Sequence, residues 1–262
     1  MLGYIIIALI ILGLLLLLRS NKNKERLIEE KLVEQFPKPW LEILKDRIVF
    51  YEELNEVDKR MFEKRVQLFL ATKSIEGIDT EIDDNIRLMV AASAVIPTFA
   101  FPDYNYPHVQ TILIYPNSFD ENFQTERYKG HKEAITGMVE GRYQSSTVIF
   151  SKPELTRSFD GIEHKENVGI HEFVHLLDKE DGEVDGIPEV LIQHSFVGPW
   201  LLAIRKEIKK IENRNSDINP YALKSNAEFL AVVSEYFFSN PDKFKRKHPE
   251  LYQFLSTAFK SE

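Results

Sequence analysis

No cysteine occurs in the 262 residues. That absence excludes disulfide scaffolds, thiolate zinc fingers, iron-sulfur clusters, cysteine nucleophiles and the lipidated cysteine of a bacterial lipoprotein. Basic side chains are the minority charge, 33 Lys+Arg against 41 Asp+Glu, for a net charge of −8. Four of the 33 lie in residues 1–26, leaving 29 basic and 40 acidic residues over 27–262, a body at −11. A surface that acidic is a poor match for a phosphate backbone, so nucleic acid is excluded as a partner. Internal repeats are absent, and the one low-complexity stretch is the charge-free N-terminus. About 236 residues remain after it, enough to bury the core of one domain or at most two.

Residues 1–18 (MLGYIIIALIILGLLLLL) are almost wholly aliphatic. As a helix they rise about 27 Å, close to the roughly 30 Å of a hydrocarbon core. A cleaved signal peptide would need positive charge before the run and a small-x-small site after it, and the sequence has neither. The expectation is a transmembrane anchor over 1–18. Arg19, Lys22, Lys24 and Arg26 all follow it, so the positive-inside rule puts the N-terminus outside and the body in the cytoplasm. Residues 19–36 then form a basic juxtamembrane segment and linker helix, and 37–262 the functional domain.

Helical spacing is present over 27–36, with Pro37 and Pro39 expected to end it before 40–44. Residues 57–73 and 81–94 read as amphipathic helices, the second with Asp79 or Thr80 as N-cap. Residues 111–115 (TILIY) and 147–151 (TVIFS) are short β-branched and aromatic runs bounded by turn residues, hence strands. From about 165 onward the chain is again mostly helical. Helices around a small sheet, without regular βαβ alternation, make the fold class α+β.

The chemistry-bearing segment is Gly169-Ile-His171-Glu172-Phe-Val-His175-Leu-Leu-Asp178, which contains HExxH. On a helix, residues i and i+4 share a face, so both imidazoles reach one Zn²⁺, while Glu172 stands beside the metal without occupying it. Chance produces this pattern in roughly one such sequence in fifty, so context must decide. Two solvated histidines on a surface helix are the bland alternative. Against it, Val168, Phe173, Val174, Leu176 and Leu177 make the helix largely apolar, and buried polar groups need partners that a shared metal supplies.

A zinc peptidase requires a third protein ligand. Asp181, six residues past His175, is one candidate. However, Asp178 replaces the glycine that such a turn needs, and no methionine follows Met138 to make a Met-turn. The other candidate is a carboxylate on a later helix, where Asn226-Ala-Glu228-Phe-Leu-Ala-Val-Val-Ser-Glu235 places two glutamates on roughly one face. Residue spacing makes one of them a ligand and the other its supporting partner, without saying which.

HEFVHLLDKEDGEVDGIP, followed by YALKSNAEFLAVVSEYFFSNP and preceded by LIYPNSF, resembles the Mlc titration factor A family of bacterial zinc peptidases. The likeness runs from about residue 39 to 252. It implies a thermolysin-like, or anthrax lethal factor-like, zincin domain with aminopeptidase-like activity on peptides. His171, His175 and Glu228 are then the zinc ligands and Glu172 the catalytic glutamate. It also raises a transcriptional repressor as a partner, although the best-known members are cytosolic and lack the anchor.

In such a peptidase a zinc-activated water attacks the peptide carbonyl while Glu172 takes its proton. Tyr221, which matches a tyrosine of the family, is the candidate second donor to the oxyanion, with a packing role as the alternative. Asp178 and Glu235 can orient ligand imidazoles, and Asp178 can instead cap the helix end near Gly182. The strand over 147–151 is either an edge that receives substrate or an interior strand. His108, His131, His164, His194 and His248 have no ligand spacing and read as structural or surface residues. An intramembrane protease is excluded, because Glu163, His164, Lys165, Glu166 and Asp178 flank the motif.

Overall fold

The computed structural model describes residues 35–119, 135–142, 145–161, 165–189, 191–192 and 194–259. The expected anchor over 1–18, the basic residues after it, His131 and His164 lie outside the described residues. Among those described, no helix is long and apolar enough to cross a membrane.

Pro37 and Pro39 begin a helix rather than end one. Residues 35–37 are not helical. Pro37 is the N-cap of α1 (Lys38–Arg47) and Pro39 sits in its first turn, where a missing N–H costs nothing. A short α2 (Val49–Glu52) leads to α3 (Glu56–Thr72), whose start is set by Asn55 accepting from the N–H groups of Val57 and Asp58. Phe62, Val66 and Phe69 bury one stripe of α3. Strand β1 (Ser74–Gly77) follows, then α4 (Asp84–Val95), buried continuously from Leu88 to Val95. Its N-cap is Asp83, bonded to the Ile86 N–H, not Asp79 or Thr80. Asp79 instead occupies a turn at φ 51°.

Strands β2 (Val109–Tyr115), β3 (Gly137–Arg142) and β4 (Ser145–Ser151) complete a sheet ordered β1-β2-β4-β3. β1, β2 and β4 are parallel, and β3 is antiparallel to β4. The TVIFS segment is therefore an interior strand, flanked by β2 and β3. The edges of the sheet are β1 and β3, and β3 lacks the β-branched run that signals a strand.

The remaining helices are α5 (Lys152–Arg157), α6 (Val168–Asp178), α7 (His194–Glu212), α8 (Asn226–Ser239), α9 (Pro241–Lys247) and α10 (Pro249–Phe259). Phe173 of α6 ties the layers together, its ring 5.8 Å from Phe69, 4.9 Å from Tyr106 and 6.2 Å from Phe150. Gly169 lets α6 lie directly on α4, since a Cβ there would fall 1.9 Å from Ser93 Oγ. Helix α8, buried from Phe229 to Phe237, packs along the other side of α6.

Candidate metal centre

Helix α6 starts where Asn167 accepts from the Ile170 N–H, and one turn later it presents His171 and His175 side by side. Their Nε2 atoms are 3.1 Å apart. Ser225 caps α8 and sets Glu228 in its first turn, with Oε2 at 3.0 Å from His171 Nε2 and 3.4 Å from His175 Nε2. His171, His175 and Glu228 are the His/Asp/Glu group that the described residues gather closely enough to hold a metal ion. Asp181 is excluded from it. That residue is exposed in a 3₁₀ turn (Lys179–Asp181), where Oδ1 accepts from the Glu183 N–H.

Two turns along α8, Glu235 Oε1 lies 2.6 Å from His171 Nδ1, and its Oε2 accepts from the Asn167 N–H at 2.5 Å. The backbone thus orients the carboxylate, and the carboxylate orients the imidazole. With Nδ1–H given to Glu235, the neutral ring turns the Nε2 lone pair toward the Glu228 carboxylate. A cation belongs between two such acceptors: the proton that makes the ring an imidazolium, which these carboxylates favour, or a metal ion that takes its place. Tetrahedral zinc with N and O ligands near 2.0–2.1 Å has ligand atoms about 3.3 Å apart, and the observed 3.0–3.4 Å separations fit such an ion.

The local electrostatics agree. Burial alone would lower the His171 pKa, but the Glu235 and Glu228 carboxylates reverse this and hold it well above its ordinary value. Burial likewise raises Glu228, yet hydrogen bonds from His171 and His175 bring its carboxyl down to about 2. Both shifts mark a place that favours positive charge.

Glu172 is buried on α6, and burial pushes its carboxyl up, with His171 and His175 partly opposing. Strand β3 lies against it. A Cβ on Gly137 would stand 2.8 Å from Glu172 Oε1 and 2.6 Å from Val168 Cγ2, so a side chain there would force the strand or the helix to shift. Clefts of about 330 Å³ and 420 Å³ open along β3 and share Gly137, His171, Glu172 and Tyr221. Tyr221 stands in a 3₁₀ turn (Pro220–Leu223), 42% exposed, its ring centroid 6.0 Å from that of His171.

Asp178 has another duty. Fully buried, it accepts from the Gly186 N–H through Oδ2, while Oδ1 makes no hydrogen bond, so it neither orients an imidazole nor caps at Gly182. It holds the loop that carries Gly186 past Asn226, where a Cβ would meet the Asn226 carbonyl at 2.4 Å. His248 is buried between Glu207 and Asp217, and His108 lies 3.8 Å from Glu180. His194 opens α7. Sequence reasoning missed Asn167 and Gly137. An Asn before an apolar helical run is a readable cap signal, whereas a glycine in a strand does not announce what it lies against.

A family model described as glucose-regulated metallo-peptidase M90 matches residues 19–260. An uncharacterized protein of Synechocystis sp. is 30% identical over 236 residues, covering 86% of each chain. Mlc titration factor A of Escherichia coli is 26% identical over 226 residues, 82% of this chain and 83% of the relative. Mlc titration factor A of Pectobacterium atrosepticum is 28% identical over 161 residues, 58% and 59%. The family match spans both motif helices and the sheet between the N-terminal helices and α6, and by it the chain belongs to the glucose-regulated metallo-peptidase M90 family.

Proposed function

We propose that this metallo-peptidase is a zinc-dependent enzyme that hydrolyses peptides, with His171, His175 and Glu228 holding the ion and Glu172 as general base. The convergence of two imidazole nitrogens and one carboxylate oxygen within 3.0–3.4 Å, beside a buried glutamate, carries this reading. A bound zinc ion supplies the Lewis acidity that brings the ionisation of water towards neutral pH. Glu172 accepts the water's proton on its carboxylate as the new C–O bond forms, then gives it to the amine as the C–N bond breaks. Its raised pKa suits both halves of that task. Tyr221 donates its O–H to the developing oxyanion. A peptide lies along the outer edge of β3, where main-chain hydrogen bonds hold it over Glu172. Activity is expected on chromogenic aminoacyl substrates. Hydrolysis that chelation abolishes and zinc restores supports the reading, and hydrolysis indifferent to chelation refutes it.

The names of the relatives from E. coli and P. atrosepticum motivate a second reading, a zinc-containing regulator that titrates a transcriptional repressor. Repressor capture that survives both His171→Ala and Glu172→Gln, with no turnover of a peptide library, would favour it. For location we propose a single-pass anchor over 1–18 with the peptidase domain cytoplasmic. Alkaline carbonate extraction should leave the full chain in the membrane pellet, and release into the supernatant would contradict this.

A further inference from the structure

The direction of a bound peptide follows from β3. Ser151 N–H donates to the Thr136 carbonyl on the β4 side. Backbone groups alternate along a strand, so those of Gly137 and Val139 face the opposite edge, which no strand of the described residues covers. Antiparallel pairing is the stronger ladder. An antiparallel peptide passes from Val139 toward Ile135, with its C-terminal part in the cleft lined by Ile135, Thr136, Arg157 and Lys224. Met138 and Val139 line the other cleft, which Lys224 does not reach.

The ladder stops at Ile135. Its N–H donates to the Phe119 carbonyl at 2.8 Å and its carbonyl accepts from the Phe119 N–H at 3.1 Å. Gly137 lies against Glu172, where an added Cβ would stand 2.8 Å from Oε1, so only one or two residues of a peptide fit between a bond attacked there and this block. The cations at that end differ. Arg157 is engaged by Glu154 at 2.9 Å, whereas Lys224 has no carboxylate partner among the described residues. Its ammonium instead sits 3.8 Å above the Tyr221 ring, which fixes it within about 10 Å of the His171 ring. Two residues of extended chain span about 6.6 Å, and a hydrogen bond adds about 3 Å.

We infer that Lys224 binds the free C-terminal carboxylate of short peptides whose chain ends one or two residues beyond the cleaved bond. This deepens the peptidase reading and rests on it. The test compares one tripeptide as its free acid and as its C-terminal amide, with the zinc-loaded full chain. Wild type should favour the acid by about tenfold in kcat/KM, chiefly through KM, as a charge-assisted hydrogen bond provides. Lys224→Gln should bring the acid-to-amide ratio to about one, and Lys224→Arg should restore the preference. Loss of packing against Tyr221 would depress both substrates and leave the ratio intact. Equal wild-type rates on acid and amide, or a ratio that Lys224→Gln does not move, would overturn the inference while leaving the peptidase standing. Hydrolysis of neither tripeptide would overturn the inference, and absence of hydrolysis of chromogenic aminoacyl substrates as well would overturn both.

Discussion

His171 is held at both ring nitrogens, and the two contacts have different jobs. Nε2 faces the other candidate ligands, while Nδ1 is tied through Glu235 to the backbone of Asn167. Removing the charge at 235 leaves the ligand set intact but frees the ring to rotate and weakens its basicity. Glu235→Gln is therefore expected to reduce zinc affinity by about 10–100-fold, read by competition with a chromophoric chelator. Unchanged affinity would mean that Glu235 merely fills space. This detail was half legible in the sequence. HExxH announces its own geometry because i and i+4 share a face, but Glu228 and Glu235 stand more than 50 positions away, and only the packing of α8 on α6 separates ligand from orienting partner. The role of Asp178 is hidden for the same reason: its partner, the Gly186 N–H, belongs to a loop whose path periodicity cannot reveal.

Among the elements, β3 and α6 together decide whether the cleft exists. Gly137 brings the edge strand close against Glu172, as the proposed pairing of a peptide along β3 requires. Gly137→Ala would push strand and helix apart, and misplacement on that scale costs roughly ten- to a hundredfold in kcat/KM. Circular dichroism should still report the wild-type fold, and full activity in this variant would show that the approach is not needed. The helices were readable from their apolar stripes and caps, with errors where two caps compete, as at Asp79 and Asp83. Strand β3 (GMVEGR) was not, because two glycines, a glutamate and an arginine carry no strand signal, and it forms by pairing with the strongly β-prone TVIFS segment. The same pairing makes TVIFS interior, a fact of topology rather than of propensity.

Over the whole molecule, a chain of polar contacts joins His248, at the start of the C-terminal helix, to Tyr236 of α8 and to Lys165, three residues before α6. His248 Nε2 lies 2.8 Å from Asp217 Oδ1, and Nδ1 lies 3.0 Å from Glu207 Oε1, off the line of a hydrogen bond. Asp217 also accepts from Lys165 and from the Tyr236 hydroxyl. Burial would raise Glu207, but His248, Lys210 and Ser216 hold it at about 2, below its ordinary 4.5. Its stabilising contribution is thus complete above about pH 4.5 and lost as the pH falls through about 2. Glu207→Gln should flatten the dependence of the denaturation midpoint on pH across that window, and an unchanged slope would contradict the assignment. His248 had no ligand spacing in the sequence, and its buried structural place accords with that.

The central claim is that Glu172 performs the proton transfer while His171, His175 and Glu228 hold the zinc. Zinc content and peptide hydrolysis, measured together in wild type and Glu172→Gln, test it most directly. The account predicts about one zinc per chain in both proteins and a loss of hydrolysis in the variant of about 10²–10⁴-fold. Zinc retained with hydrolysis unchanged would contradict it.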